Sequence, residues 1–190
     1  MNARGFELKS ARFLAADCLR HFLLPGDIAV DATMGNGHDT QMLCELVGES
    51  GHVYAFDVQE AALASTAEHL EKSGCPRNYT LILDSHHNVK KYVTTPIRAG
   101  MFNLGYLPGS DKQITTMRVT TMPAIEAAID LLDHGGVLLV AVYPGHAEGE
   151  AEGKMLLDYF ATPDRTKICC TLIRILNSPT SPFFIVIEKK

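Results

Sequence analysis

The chain has no tryptophan, no C-x-x-C pair and no apolar run long enough to span a bilayer, and each absence excludes something. The longest apolar stretch, Val137-Leu138-Leu139-Val140-Ala141-Val142, is the length of a strand, so no membrane span is expected. The N-terminal residues show no basic stretch leading into an apolar block and a small-residue cleavage site, so no secretory signal is expected either. Five cysteines (18, 44, 75, 169 and 170) leave an odd one and lack zinc spacing, which points to reduced thiols and a cytoplasmic location. Positive charge is also short: 17 Lys and Arg face 22 Asp and Glu, for a net charge of −5. No broad basic surface for non-specific nucleic-acid binding is therefore expected, although Lys90, Lys91, Arg98, Lys112 and Arg118 could form a local basic face. His86 and His87 are adjacent, so their side chains diverge. No carboxylate set accompanies them, and no metal site is expected.

The sequence instead shows regular alternation over 190 residues, with no linker, repeat or low-complexity block, the size of one domain. Residues 6–23 place Leu8, Ala11, Leu14, Ala15, Cys18, Leu19, Phe22 and Leu23 at helical spacing, and Pro25-Gly26-Asp27 stops the helix. Strands are expected at 28–32, 52–56, 79–83, a stretch ending at 102, 137–142, 167–176 and 183–188. Helices are expected at about 38–47, 60–72, 89–93, 116–132 and 150–160. The last two strands are separated by only Asn177–Pro182, too few residues for a crossover helix, so they should be antiparallel neighbours. The pattern predicts an α/β, Rossmann-like domain: a mostly parallel seven-stranded sheet with one reversed strand and helices on both faces.

In such sheets ligands bind beyond the carboxyl ends of the strands, and polar residues accumulate there. The first strand runs into Asp31-Ala32-Thr33-Met34-Gly35-Asn36-Gly37-His38-Asp39-Thr40, a D-x-x-x-G-x-G turn whose glycines would let the backbone approach a ligand. A dinucleotide loop usually continues to a third glycine facing a pyrophosphate. Here that position is Thr40, and Asp39 brings a carboxylate, which suits the ammonium and sulfonium of S-adenosylmethionine better than phosphates. Asp57 ends the second strand 26 positions after Asp31, where an acid can accept hydrogen bonds from ribose hydroxyls, with Gln59 nearby. Asp84-Ser85-His86 follows the third strand, where an Asp can accept from an adenine amino group. Each Asp alone could be a helix cap, but three at successive strand ends predict a cofactor site. The candidate contacts are Asp31, Thr33, Gly35, Asn36, Gly37, His38, Asp39, Thr40, Asp57, Gln59, Asp84, Ser85, His86 and Asn103.

After the fourth strand, Asn103-Leu104-Gly105-Tyr106 stands where amino-methylating enzymes carry an N-P-P-Y-like motif. In that motif the Asn oxygen and the next backbone carbonyl, here that of Leu104, hold the target nitrogen, and the aromatic ring, here Tyr106, stacks on the substrate. Little more is needed, because the sulfonium is already a strong electrophile and the task is alignment and exclusion of water. Asp111 is a candidate to take up the amine proton, and His146, in Tyr143-Pro144-Gly145-His146 after the fifth strand, a candidate substrate contact. Other readings stay open on the residues alone: methylation of a different RNA, a small-molecule N-methyltransferase, a cofactor-binding module without catalysis, and a nicotinamide oxidoreductase.

The strings Asp31-Ala-Thr-Met-Gly-Asn-Gly-His-Asp-Thr40, Phe56-Asp-Val-Gln59, Phe102-Asn-Leu-Gly-Tyr-Leu-Pro108, Tyr143-Pro-Gly-His146 and Ile187-Glu-Lys189 resemble the MnmM (YtqB-like) family, whose members also carry the description of rRNA methylases. The resemblance runs over nearly the whole chain; Ser110 departs from it where a second glycine is expected after Gly109. It implies a class I methyltransferase fold and methylation of 5-aminomethyl-2-thiouridine at the anticodon wobble position of tRNA. The acceptor is then a primary amine presented on a single-stranded base, with Tyr106, Lys112 and Arg118 as candidate RNA contacts. A homodimer would enlarge the surface that so small a domain offers a folded tRNA.

Overall fold

The computed structural model describes residues 11–105, 115–145, 147–178 and 180–190. Along the chain run α1 (Ala11–Phe22), β1 (Ile28–Asp31), α2 (His38–Val47), β2 (His52–Asp57), α3 (Glu60–Lys72) and β3 (Tyr79–Leu83). A 3₁₀ turn at His86–Asn88 leads into α4 (Val89–Tyr92) and β4 (Ile97–Asn103). Then follow α5 (Arg118–Leu131), β5 (Leu132–Val142), α6 (Ala147–Phe160), β6 (Ile168–Ile173) and β7 (Phe183–Lys189). The strands form one seven-stranded sheet in the order β3-β2-β1-β4-β5-β7-β6. β7 alone is reversed, antiparallel to both β5 and β6.

The central strands are mostly apolar because both their faces are covered, the usual state of a parallel sheet. In β5 the side chains alternate. Val137, Leu139 and Ala141 pack with Leu19 of α1 and with Leu43, Cys44 and Val47 of α2. Leu138, Val140 and Val142 pack with Ile125, Ala128 and Ile129 of α5 and with Leu156 and Phe160 of α6. β7 repeats the division, with Phe184 and Val186 on the first face and Phe183, Ile185 and Ile187 on the second. The two faces make two cores, and the sheet is the wall between them.

β5 starts earlier than the expected 137: Leu132 already pairs with Ile97, and the register then shifts before Ala99 pairs with Val137. Gly135 takes a φ of 72° inside this irregularity, a bulge within the strand. α6 begins at Ala147, three residues before the expected start at 150, and α5 begins two residues after the expected 116. No described helix is long and apolar enough to cross a membrane. Among the described residues no cluster of three or more His, Cys, Asp or Glu could hold a metal ion.

Candidate active site

The strand order reverses between β1 and β4, and the loops after β1, β2, β3, β4 and β5 converge beyond their carboxyl ends. They enclose a cavity of about 710 Å³, which Thr180 and Pro182 of the β6–β7 connection close from one side.

The wall after β1 is built from below. Asp31 is fully buried, and its carboxylate accepts from the Thr40 hydroxyl at 2.6 Å and from the Thr33 N–H at 3.1 Å. It thereby ties the first turn of α2 to the loop that precedes it. Gly37, the residue before α2, has a φ of 83°, and a Cβ there would stand 3.1 Å from the Thr66 backbone. Asp31, Gly37 and Thr40 were expected to touch cofactor, yet none of them lines the cavity. Asp31 and Thr40 buttress the loop, and Gly37 is required by the close approach of α3, a tertiary contact that sequence spacing does not show. Thr33, Gly35, Asn36, His38 and Asp39 do line it. α3 fixes this stretch from outside: Thr66 Oγ1 donates to the Gly35 carbonyl and Ser65 Oγ to Asn36 Oδ1, both at 3.0 Å.

Asp57 closes β2 with both carboxylate oxygens engaged, accepting from the Gly35 N–H at 3.2 Å and the Gln59 N–H at 3.0 Å. Each oxygen keeps a lone pair for a further donor. Burial pushes its carboxyl up, and backbone N–H bonds from Gln59, Gly35 and Val58 pull it back. Beside it Val58 lines the cavity with 59% of its surface exposed, an apolar face the sequence reading passed over. Its signal was available: an aliphatic residue directly after an acidic strand end, with no sheet neighbour to cover it. Asp84 accepts from Ser85 N–H, Asn88 Nδ2 and Tyr92 Oη, which hold its carboxyl below the usual range. His86 is 9% exposed; its Nδ1 lies 3.1 Å from the Ala32 carbonyl, which assigns the proton to Nδ1. Burial lowers its pKa and keeps the ring neutral, and Nε2 faces no partner, a buried lone pair in a residue of the cavity wall.

The substrate half begins at Asn103, whose backbone N–H donates to Thr33 Oγ1 at 2.7 Å and laces β4 to the β1 loop. Its side-chain Nδ2 donates to the Asp39 carboxylate, and its Oδ1 accepts from Tyr143 Oη at 3.3 Å. Leu104 and Gly105 continue the wall, joined by Thr115, Thr116, Thr120, Tyr143 and Gly145. Thr116 accepts from the Gly105 N–H and donates to the fully buried Glu152, each at 2.9 Å. Thr115 Oγ1 is buried with no partner. These threonines escaped the sequence reading because they come from the start of α5 and the residues just before it, distant in sequence from any strand end. Tyr143 was recognisable by position, since it follows β5 as Asn103 ends β4. Arg118, expected at the substrate rim, is instead held by Glu148 (Nε to Oε1 3.0 Å) and does not line the cavity. Tyr106, Asp111, Lys112 and His146 lie outside the described residues.

Among the described residues the cavity wall carries three carboxylates, Asp39, Asp57 and Asp84, and no Lys or Arg. That balance opposes a pyrophosphate and favours a ligand bearing positive charge. Asp57 at a strand end, the exposed Val58 and the orphan His86 Nε2 fit a ribosyl adenine group with hydroxyl and amino donors around an apolar ring. The site thus suits S-adenosylmethionine.

The comparisons with known proteins agree. The family model described as "Putative rRNA methylase" matches residues 53–189. The chain belongs to this family. A chloroplastic tRNA (mnm(5)s(2)U34)-methyltransferase of Arabidopsis thaliana is 33% identical over 97% of the chain and 71% of its own length. A Clostridium thermocellum crystal structure bearing the family's description matches with a TM-score of 0.94 and 38% identity, over 97% of this chain and all of the other. A Streptococcus mutans "putative methyltransferase" in complex with SAH gives a TM-score of 0.88 and 41% identity, over 97% of this chain and all of the other. The protein is an S-adenosylmethionine-dependent methyltransferase of class I fold.

For this methyltransferase the buried Asp31 has a measurable consequence. Burial, and then the charge of Asp39, push its carboxyl up to about 7, against the opposing bonds from Thr40 and Thr33. An unfolded Asp titrates near pH ~4, so between about 4 and 7 the folded state holds a proton that the unfolded state has lost. Stability should therefore fall as pH rises through that window and level off above it. Asp31→Asn, neutral throughout, should flatten this part of the profile. Urea midpoints taken between pH 4.5 and 7.5 test it, and equal slopes for both proteins would refute the assignment.

Proposed function

We propose that this enzyme N-methylates the 5-aminomethyl group of 5-aminomethyl-2-thiouridine at the anticodon wobble position of tRNA. The observation that carries the reading is Asn103: a carboxamide at the end of β4, in the cavity wall, with its oxygen turned away from Asp39. An acceptor there suits a nucleophile that carries N–H. The adjoining Leu104 carbonyl is a second candidate acceptor, and Leu104 also lines the cavity. Support for the nucleic acid comes from the Arabidopsis relative, whose name specifies a tRNA uridine.

Asp57, Val58 and Asp84 are the residues that would hold the adenosyl part, with Gly35 and Asn36 beside them. When bound, S-adenosylmethionine supplies a methyl group on a sulfonium, which an amine nitrogen accepts with its lone pair as it sheds a proton. The chain's contribution is to hold that nitrogen at Asn103, aligned for attack on the methyl group. Tyr106, Lys112 and His146 are proposed RNA contacts and Asp111 the proton acceptor. With Arg118 committed to Glu148, a homodimer would supply further surface for the tRNA. A cytoplasmic site of action is part of the same reading, and none of the five cysteines is bridged.

The family description favours ribosomal RNA as the second reading. One experiment separates the two: labelled methyl transfer to tRNA lacking the wobble methyl group, and to ribosomal RNA, followed by nucleoside mass spectrometry. Conversion of the aminomethyl nucleoside to its methylaminomethyl form is the expected result. Label in ribosomal RNA alone would overturn it.

A further inference from the structure

We propose that Asp39 and Tyr143 are positioning residues that fix the Asn103 carboxamide with its oxygen presented to the acceptor amine. The proposal rests on the amine reading above. A carboxamide is nearly symmetric in shape, so rotation by half a turn exchanges its oxygen and its NH2 with little change in packing. The two orientations have opposite chemistry. With the oxygen toward the substrate, Asn103 can accept from an amine N–H. With the NH2 toward it, two donors oppose each other and the nitrogen lone pair is drawn to Asn103 instead of the methyl group.

The structure opposes that rotation from both ends. The Asp39 carboxylate, on the first turn of α2, only accepts, so the NH2 must face it. The Tyr143 hydroxyl, from the segment after β5, sits 3.3 Å from Oδ1 and donates to it. The oxygen retains a second lone pair, and all three residues line the cavity. The backbone of Asn103 is pinned as well, through its N–H bond to Thr33 Oγ1 at 2.7 Å. Rotation would set a carbonyl against a carboxylate and an NH2 against the donating Tyr143 hydroxyl.

The test uses Asp39→Ala, Asp39→Asn and Tyr143→Phe with three readouts: steady-state kinetics on tRNA bearing the aminomethyl nucleoside, calorimetry with S-adenosylhomocysteine, and ¹⁵N NMR of the Asn103 side-chain amide. The last is assigned by its disappearance in Asn103→Ala and is read on the protein alone. Asp39→Ala should lower kcat by about tenfold or more while KM and S-adenosylhomocysteine affinity change by less than about threefold. Asp39→Asn still offers an oxygen to the amide and should recover most of the rate. Tyr143→Phe should lose several-fold in kcat. In wild type one Asn103 amide proton should lie downfield, and Asp39→Ala should move it upfield. Unchanged kcat in Asp39→Ala, or an unmoved amide signal, would overturn the proposal. So would a loss of S-adenosylhomocysteine affinity that matches the loss of rate, which would return Asp39 to cofactor binding. If Asp39→Ala does not fold, unchanged kcat in Tyr143→Phe, which preserves shape, overturns it equally. Methylation of some other RNA position by wild type would remove the amine reading and leave the amide signal to report the clamp by itself.

Discussion

Asn103→Ala should abolish most methyl transfer while leaving the cofactor half of the site intact. The variant removes the carboxamide that Asp39 and Tyr143 hold, and with it the acceptor for the target nitrogen. Loss of alignment at a reacting centre costs on the order of 100-fold, and the loss should fall on kcat because the tRNA keeps its other contacts. The fold should tolerate the change: the backbone N–H bond to Thr33 needs no side chain, so the cost in stability should be about 1 kcal/mol. The isosteric Asn103→Asp should be no better, since it sets a carboxylate against that of Asp39. Single-turnover transfer and S-adenosylhomocysteine calorimetry measure the two halves separately. A full rate in Asn103→Ala would remove this residue from the chemistry.

The same residue shows how much could be read without coordinates. Asn103 announced itself by place, at the carboxyl end of an apolar strand and before a glycine, because the Rossmann-like topology collects strand ends on one edge. The strands themselves were legible for the same physical reason. Central parallel strands are buried on both faces, so their composition is nearly uniform, and the order of elements then leaves few topologies. The reversed β7 followed from a connection too short for a crossover. What sequence could not give was which polar residues face inward. Asp31 belongs to the motif that defines the loop, but it points into the core toward Thr40. Gly37 obeys α3 through Thr66, 29 positions away. Arg118 had the right charge for an RNA rim until Glu148, on another helix, claimed it. Thr115 and Thr116 come from the approach to α5 and Thr120 from its first turn, which no periodicity connects with β4. Motif spacing reports residues that share a loop, whereas these assignments depend on partners from elsewhere in the chain.

Asp57 is where the second large effect is expected, this time on binding. Its carboxylate holds the Gly35 N–H at 3.2 Å and the Gln59 N–H at 3.0 Å, and it lines the cavity where β2 ends. A ligand hydroxyl donating to the remaining lone pairs would form a charge-assisted bond, worth roughly 1.5–3 kcal/mol. Asp57→Ala should therefore weaken S-adenosylmethionine by about 10- to 100-fold. Part of that arises indirectly, because the Gly35 N–H loses its acceptor and the loop between β1 and α2 loses its tie to β2. Asp57→Asn separates the contributions. Both carboxylate oxygens face backbone donors, so an amide must turn its NH2 toward one of them, and the substitution should rescue little. kcat at saturating cofactor should stay within a few-fold of wild type, since Asp57 is on the adenosyl side and Asn103 is untouched. Calorimetry with both S-adenosylmethionine and S-adenosylhomocysteine should show parallel losses, because the two share the ribose and differ at the sulfur. Unchanged affinity in Asp57→Ala would refute the ribose role. A loss confined to S-adenosylmethionine would show that Asp57 acts through the sulfonium charge instead.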